Sequence, residues 1–397
     1  MQTDFTAEQR LNPKIARADE ILRSCVHCGF CNATCPTYQL TGDELDGPRG
    51  RIYLMREFLT DAGNTVRTTQ HLDRCLTCRA CETTCPSGVA YGELAEIARE
   101  QIGPDRQGYA GIIRRILAWV VPRPDRLRFV LRLAKPFSWL LPAPITKNIP
   151  ATVGSSFVVS THKHRKILLL NGCVQQVNTP LTNRHLTTLL EKRGVGVVTE
   201  AQEVCCGALD LHLGDNRAAL KFARENIDRL YPHLDSVEAI ISTASGCGVT
   251  VKDYERLFVD DPLYARRAAA VAAKTLDVSE FLGQSGFEFS ASKVDKKVAW
   301  HAPCTLQHGQ QLGAHVEKIL ADAGYVLTFV ADPHLCCGSA GTYSILQARM
   351  ADQLRDQKLN ALLAGDPELV ATANVGCQSH LAAGSGVPVH HWIELLE

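Results

Sequence analysis

Sixteen cysteines in 397 residues are the side chains here whose type and spacing could do chemistry. Eight form two runs: Cys25, Cys28, Cys31 and Cys35 before Pro36, then Cys75, Cys78, Cys81 and Cys85 before Pro86. Each cysteine of the second run lies fifty residues beyond its counterpart. The pattern C-x2-C-x2-C-x3-C-P, written twice, is a ligand spacing for a pair of iron–sulfur cubes. Three thiolates at that interval wrap one corner of a cube, whereas the fourth stands beyond a turn and reaches the other cube. The spacing therefore assigns Cys25, Cys28, Cys31 and Cys85 to one [4Fe–4S] cluster, and Cys75, Cys78, Cys81 and Cys35 to a second.

Two other chemistries use closely spaced cysteines. Zinc sites pair two C-x2-C hooks and have no use for a third cysteine at the same interval or for a proline after the fourth. Disulfides fit less well, because cysteines three apart are poorly placed to bridge and nothing in the chain marks export.

The remaining eight cysteines fall into two quartets: Cys173, Cys205, Cys206 and Cys247, then Cys304, Cys336, Cys337 and Cys377. Subtracting their numbers gives offsets of 131, 131, 131 and 130, an internal repeat. Each quartet is one cysteine just after a strand-like run, a Cys-Cys-Gly, and a last cysteine in Ser245-Gly246-Cys247-Gly248 or Val375-Gly376-Cys377-Gln378. Adjacent cysteines cannot easily share a tetrahedral site, but a glycine directly after them permits a tight backbone that turns both thiols to one centre. Buried, inert cysteine is the plainer alternative. The quartets could hold a further iron–sulfur or zinc centre.

The elements that must position these groups change in texture along the chain. Residues 1–103 read as helical, with Leu11, Ile15, Ala18 and Leu22 forming an apolar face between Ala7 and Arg23, and a helix opening at Pro48 and running to Leu59. Arg49 and Arg51 on that helix could neutralise cluster charge or pair with nearby acids. Residues 104–165 form a basic, proline-cut linker: residues 104–150 carry nine Lys and Arg against Asp105 and Asp125. With tryptophans and apolar patches alongside, the segment suits an anionic membrane surface, a partner's groove, or cover for its own domain. A membrane contact of this kind is expected to be salt-sensitive.

From Lys166 the pattern is α/β, with buried parallel strands expected at 166–170, 195–199, 239–243, 298–300, 326–330 and 369–372. Helices are expected at 181–192, 217–230, 316–323 and 351–363. Loops at the carboxyl ends of such strands gather ligands naturally. The fold class is thus α+β overall: a helical two-cluster domain followed by two duplicated α/β units with parallel sheets, at 166–290 and 291–397.

Composition agrees with a globular protein: 45% hydrophobic and 21% charged residues with zero formal net charge. Sixteen cysteines without export signals point to metal ligation in a reducing compartment. Residues 1–24 are polar with no signal-peptide core, and no apolar run approaches the roughly 20 residues that span a bilayer. The expected location is the cytoplasm, peripheral to the inner face of the membrane.

These motifs resemble a known family. The eight later cysteines resemble the cysteine-rich "CCG" proteins that include the catalytic subunit of heterodisulfide reductase. Behind a two-cluster ferredoxin, the arrangement is similar to the iron–sulfur subunits of glycolate oxidase, lactate utilisation proteins and anaerobic glycerol-3-phosphate dehydrogenase. Cys25-Val26-His27-Cys28-Gly29-Phe30-Cys31, the stretch Gly42 to Arg51, Pro303 to His308 and Leu335 to Tyr343 resemble the glycolate oxidase iron–sulfur subunits most. The resemblance implies an electron-transfer subunit, inactive alone, with FAD confined to partner glycolate oxidase subunits and quinone or another acceptor beyond. Related lactate or glycerol-3-phosphate dehydrogenases, or a heterodisulfide-reductase-like enzyme, are the alternatives. No nucleic-acid partner is expected, and no flavin or nucleotide fingerprint occurs in the chain. One departure stands out. The heterodisulfide reductase pattern ends each repeat in C-x2-C, whereas Thr250 and His380 occupy those last positions here, and His380 could add an imidazole beside Cys377.

Overall fold

The computed structural model describes residues 1–61, 65–134, 164–200, 204–289 and 295–397. At the amino end, a 3-10 turn over Gln9–Leu11 precedes a helix over Pro13–Ser24. Asn12 caps that helix by accepting from Lys14 N at 3.0 Å, and Pro13 takes the first helical position, where no amide hydrogen is needed. The single helix expected from Ala7 is therefore broken at Asn12. As a result Leu11 is 81% exposed, while Ile15, Ala18 and Leu22 are buried.

Helices Pro48–Leu59, Thr65–Asp73 and Tyr91–Ile102 complete the helical domain. Ile21, Leu22, Ile52, Met55, Leu72 and Leu94 fill its centre. The two cysteine runs pass each other on one side of this core. Each contains a single-turn helix, Phe30–Ala33 or Ala80–Thr83, and the two are stitched by Thr34 Oγ1 donating to the Ala80 carbonyl at 3.3 Å. Thr84 Oγ1 donates to Thr34 Oγ1 at 3.1 Å.

The linker contributes helices Gly108–Val120 and Pro124–Ala134, split at Pro122 and Pro124 as expected. The apolar stretch Phe137 to Leu141 and its flanking prolines lie outside the described residues. No helix among the described residues is long and apolar enough to cross a membrane.

Two four-stranded parallel sheets follow. Strands β1 (Arg165–Leu170), β2 (Val195–Val198), β3 (Ile240–Ser242) and β4 (Thr275–Asp277) lie in the order β2-β1-β3-β4. Strands β5 (Lys297–His301), β6 (Val326–Leu327), β7 (Leu369–Thr372) and β8 (Val389–His391) repeat it as β6-β5-β7-β8. The sequence reading places six of these strands, although β6 is two residues long and not buried, where a buried strand over 326–330 is expected. It misses β4 and β8, whose three residues each, Thr-Leu-Asp and Val-His-His, carry no apolar run.

Alternation along the strands sorts the two faces of each sheet. Ile167 and Leu169 join Leu369, Ala371 and Trp300 in one core that both repeats share. On the opposite faces, Leu168 and Leu170 pack with Cys173, Cys205 and Cys206, and Val370 packs with Cys337 and Cys377. The repeats also exchange their ends. Thr182 donates to Glu394 Oε1 at 2.5 Å, and Tyr325 donates its hydroxyl to the Leu395 carbonyl at 2.8 Å. The helical domain docks on both repeats: Arg79 pairs with Asp253, Arg256 Nη2 pairs with Glu96 at 2.8 Å, and Thr83 Oγ1 meets His308 Nδ1 at 2.9 Å.

Candidate metal centres

The first run begins where helix Pro13–Ser24 ends, with the Cys25 amide donating back to the Leu22 carbonyl at 3.2 Å. Cys25, Cys28, Cys31 and Cys85 line one pocket, closed by apolar Val26, Ile52 and Val89, with Cys81 also at its wall. Gly29 turns the loop at φ 84°, a left-handed conformation suited to glycine. Burial, followed by the Cys25 and Cys85 thiols, pushes the Cys31 thiol up to about 11. The fourth cysteine of the second run thus stands with the first three of the first run.

Around Cys35, Cys75, Cys78 and Cys81 the complementary grouping appears. Burial, then the Cys78 and Cys75 thiols and more weakly Glu82 and Cys35, push the Cys81 thiol well up. Several donors point at these sulfurs: Thr77 N at 3.4 Å and Tyr91 Oη at 3.5 Å from Cys75 Sγ, and Arg51 Nη1 at 3.9 Å from Cys35 Sγ. Arg51 is 1% exposed; it donates to the His71 carbonyl at 2.8 Å and to Thr37 Oγ1 at 3.1 Å, and lies 3.6 Å from Asp46. Arg49, by contrast, pairs with Glu44 at 2.6 Å. Arg51 thus takes both roles offered by the sequence, beside a cysteine sulfur and on an acid, and Arg49 takes the second. Both four-thiol sets fit [4Fe–4S] clusters by donor chemistry: Cys25, Cys35 and Cys81 are buried, Cys28 is exposed and the rest are half-buried, with amide, hydroxyl and guanidinium donors beside the second set.

In each later quartet, the first cysteine follows the central strand, the Cys-Cys-Gly precedes a turn, and the last cysteine lies in helix Ser245–Lys252 or Val375–Ala382. The Cys173 and Cys205 sulfurs are 3.6 Å apart, and Cys206 bonds both Cys205 and Cys247. In the second repeat the Cys337 and Cys377 sulfurs are 3.2 Å apart, and Cys304 bonds Cys336. The glycines Gly207 and Gly338 have φ 90° and 82°. A Cβ there would stand 2.9 Å from the Ala219 carbonyl and 2.5 Å from the Ala351 carbonyl, so the tight turn needs glycine twice over.

His380 is held by the neighbouring helix. Its ring nitrogen lies 3.2 Å from the Ala351 carbonyl, while Thr250 donates to the Gly246 carbonyl at 2.9 Å. The imidazole beside the thiols is His301, at the end of β5, which sequence reasoning missed. Its ligand nitrogen and the Cys337 and Cys377 sulfurs all lie within 4.8 Å of one another, and His301 Nδ1 is 3.0 Å from Thr372 Oγ1. The available signal was a histidine three residues before Cys304 in one repeat, where the other repeat has Leu170.

All eight of these cysteines, together with Cys78 of the second run, line one cavity of about 570 Å³. Ile112, Ile113, Ile116, Leu117 and Val120 of the first linker helix and Leu127, Val130 and Leu131 of the second wall its other side. Cys78 and Cys304 are in hydrogen-bonding contact, so the ferredoxin-type site and the second repeat meet at their sulfurs. His212, also at the cavity, is pushed down to about 4 by burial, then by Arg99 and Arg79.

The linker's arginines are largely used inside the molecule. Arg106 and Arg114 pair with Asp73 at 2.9 and 3.3 Å. Arg123 and Arg126 stand over Phe222 and Trp119, and Arg128 reaches Gln176 at 2.9 Å. What projects outward, away from the cavity, includes Trp119, Phe129 and Leu133.

Comparison with known proteins follows this division. The family described as "4Fe-4S dicluster domain" matches residues 21–89, and the "Cysteine-rich domain" family matches residues 167–252 and 298–382. The "Glycolate oxidase iron-sulfur subunit" of Escherichia coli (strain K12) is 47% identical over 406 aligned residues, covering 100% of this chain and 98% of that protein. The "Probable glycolate oxidase iron-sulfur subunit" of Bacillus subtilis (strain 168) is 30% identical, covering 97% of this chain and 94% of the relative. "Lactate utilization protein A" of Exiguobacterium sp. (strain ATCC BAA-1283 / AT1b) is 27% identical and covers 58% of this chain and 96% of its own length. Among solved structures, a hypothetical protein from Helicobacter pylori matches with a TM-score of 0.58 at 7% identity, covering 96% of this chain and 71% of that one. That match is a likeness of fold.

Proposed function

The chain belongs to the glycolate oxidase iron–sulfur subunit family, and on that premise we propose that it is the electron-transfer subunit of a complex oxidising glycolate to glyoxylate. In this reading FAD resides in partner subunits, and a quinone or another acceptor receives the electrons. The observation that carries it is the convergence of the eight ferredoxin-type cysteines into two mixed sets, Cys25, Cys28, Cys31 and Cys85, and Cys75, Cys78, Cys81 and Cys35, the second bordering the apolar cavity through Cys78. When bound, two [4Fe–4S] clusters would accept, one at a time, the electrons of a partner's flavin reduced by hydride transfer.

The chain's own residues give the path two ends. Cys28 is exposed, so the first set reaches the surface a flavoprotein can approach. Cys78 lies inward, on a cavity with apolar walls suited to a lipophilic acceptor. Between them, Arg51, Thr77 and Tyr91 place positive charge and donors on the second set, which favours its reduced form. The exposed apolar side chains of helices Gly108–Val120 and Pro124–Ala134 support a peripheral contact with the inner face of the membrane. Arg115, Arg126 and Arg132 stay exposed beside them, so that contact combines apolar insertion with a salt-sensitive charge contribution.

The test is reconstitution. The purified chain is expected to hold about eight irons and to leave glycolate unoxidised until the flavoprotein is added, when glycolate bleaches the cluster absorbance. Cys85→Ser is expected to remove the spectroscopic signature of the site built on Cys25, Cys28 and Cys31, leaving the other. Dye reduction by the flavin-free chain at the expense of glycolate would overturn the relay reading.

A further inference from the structure

We propose that the second repeat carries a mononuclear site for zinc, built from His301, Cys337 and Cys377, with the fourth position toward Cys336 and the cavity. All three residues are buried, and their ligand atoms lie within 4.8 Å of one another. Zinc with sulfur at about 2.3 Å and nitrogen at about 2.0 Å holds neighbouring ligand atoms roughly 3.5 to 3.8 Å apart, so the two sulfurs would open slightly and the imidazole would need only a small shift within the present arrangement. The Cys337 and Cys377 sulfurs are already 3.2 Å apart.

The imidazole is prepared for the role. Thr372 Oγ1 fixes Nδ1 at 3.0 Å from the neighbouring strand, the outer contact that orients a metal-binding histidine. That leaves Nε2, wholly buried and without a hydrogen-bond partner among the described residues. A buried nitrogen with no partner is costly, and a metal ion removes the cost. Two thiolates and one imidazole around a divalent ion sum to zero charge, which a buried site tolerates. A four-iron cube spreads its thiolates over separate iron atoms, whereas here two sulfurs and a nitrogen crowd toward a single point.

The site is confined to one repeat. Subtracting the repeat offsets from His301 and Thr372 gives Leu170 and Ser242, so the first repeat has the thiols without the imidazole. One ion per chain is therefore expected. It would tie the end of β5, the Cys-Cys-Gly loop and the helix following β7 into one cross-link beside Cys304, which touches Cys78. Zinc neither gives nor takes electrons, so the proposal is independent of the relay reading.

The experiment uses the full chain purified without oxygen, with zinc and iron measured on the same sample. One zinc per chain, surviving passage over a weak chelator, with an X-ray absorption shell containing both nitrogen and sulfur, is the expected result. His301→Ala is expected to lose the zinc and keep the iron, and His301→Cys to retain zinc with an all-sulfur shell. Thr372→Val is expected to weaken zinc roughly tenfold in chelator competition, as loss of an orienting partner does. Wild-type protein with no tightly held zinc, with iron at this site, or with a zinc shell lacking nitrogen would overturn the proposal. The wild-type absorption measurement decides the matter even if a variant fails to fold.

Discussion

Arg51 illustrates what a single residue does beside a cysteine site. Its guanidinium is buried within 3.6 Å of Asp46, which also receives His71 at 2.8 Å and Arg74 at 3.0 Å. Removing one partner from such a network leaves charge buried without compensation, at a cost of about 3 to 5 kcal/mol. Arg51→Gln is therefore expected to lower stability by that order in denaturant unfolding. In the protein that still folds, it should shift the reduction potential of the second site downward, because a cation and a donor to Cys35 have gone. An unchanged potential would mean the arginine serves packing alone. At this scale the cysteines were legible because their spacing encodes chemistry within a few residues. His301 was not: its meaning depends on β5 pairing with β7, which sets Thr372 opposite and brings Cys337 and Cys377 near, across dozens of residues.

Elements were legible where burial writes itself into the pattern. β1 reads as a strand because Ile167 to Leu170 are apolar on both faces, as a strand covered on both sides requires. β4 is nearly silent, because its last residue, Asp277, serves the following helix. Its carboxylate accepts from Ser279 N at 2.9 Å and Ser279 Oγ at 2.7 Å, and Glu280 Oε2 accepts from Asp277 N at 2.8 Å, a reciprocal cap on helix Val278–Gln284. Burial pushes the Asp277 carboxyl up to about 6, against the opposing pull of the Ser279 hydrogen bonds. In the unfolded chain it ionises near 3.8, so the folded state holds the proton longer, and stability falls as pH rises between those values. Asp277→Asn keeps a capping oxygen and abolishes this titration. Its stability relative to wild type is expected to improve between about pH 4 and about pH 7, by on the order of 2 kcal/mol. Urea midpoints at both pH values check this, and a constant difference would assign the effect to the cap geometry.

At the scale of the molecule, the duplication explains why the cavity could not be read from the chain. Each repeat turns one sheet face into a common core and the other toward its cysteines, so the two quartets meet only after both repeats have folded together. The linker, whose composition left a membrane surface, a partner's groove and cover for its own domain open, closes the space with its isoleucines and leucines. This arrangement separates cluster reduction from delivery to the acceptor. Leu117 lies on the wall, away from Cys25, Cys28, Cys31 and Cys85, and a larger ring there would fill the cavity while leaving those thiols untouched. Leu117→Trp, assayed in the reconstituted complex, is expected to retain its iron and to bleach with glycolate as before. Reduction of a short-chain quinone should fall several-fold, on the order of the tenfold that about 1.4 kcal/mol of lost binding represents. A small hydrophilic dye, which can take electrons at the exposed Cys28 side, should be reduced at the wild-type rate. Equal losses with quinone and dye would place the obstruction before the cavity, and unchanged rates with both would mean that the acceptor draws its electrons elsewhere on the surface.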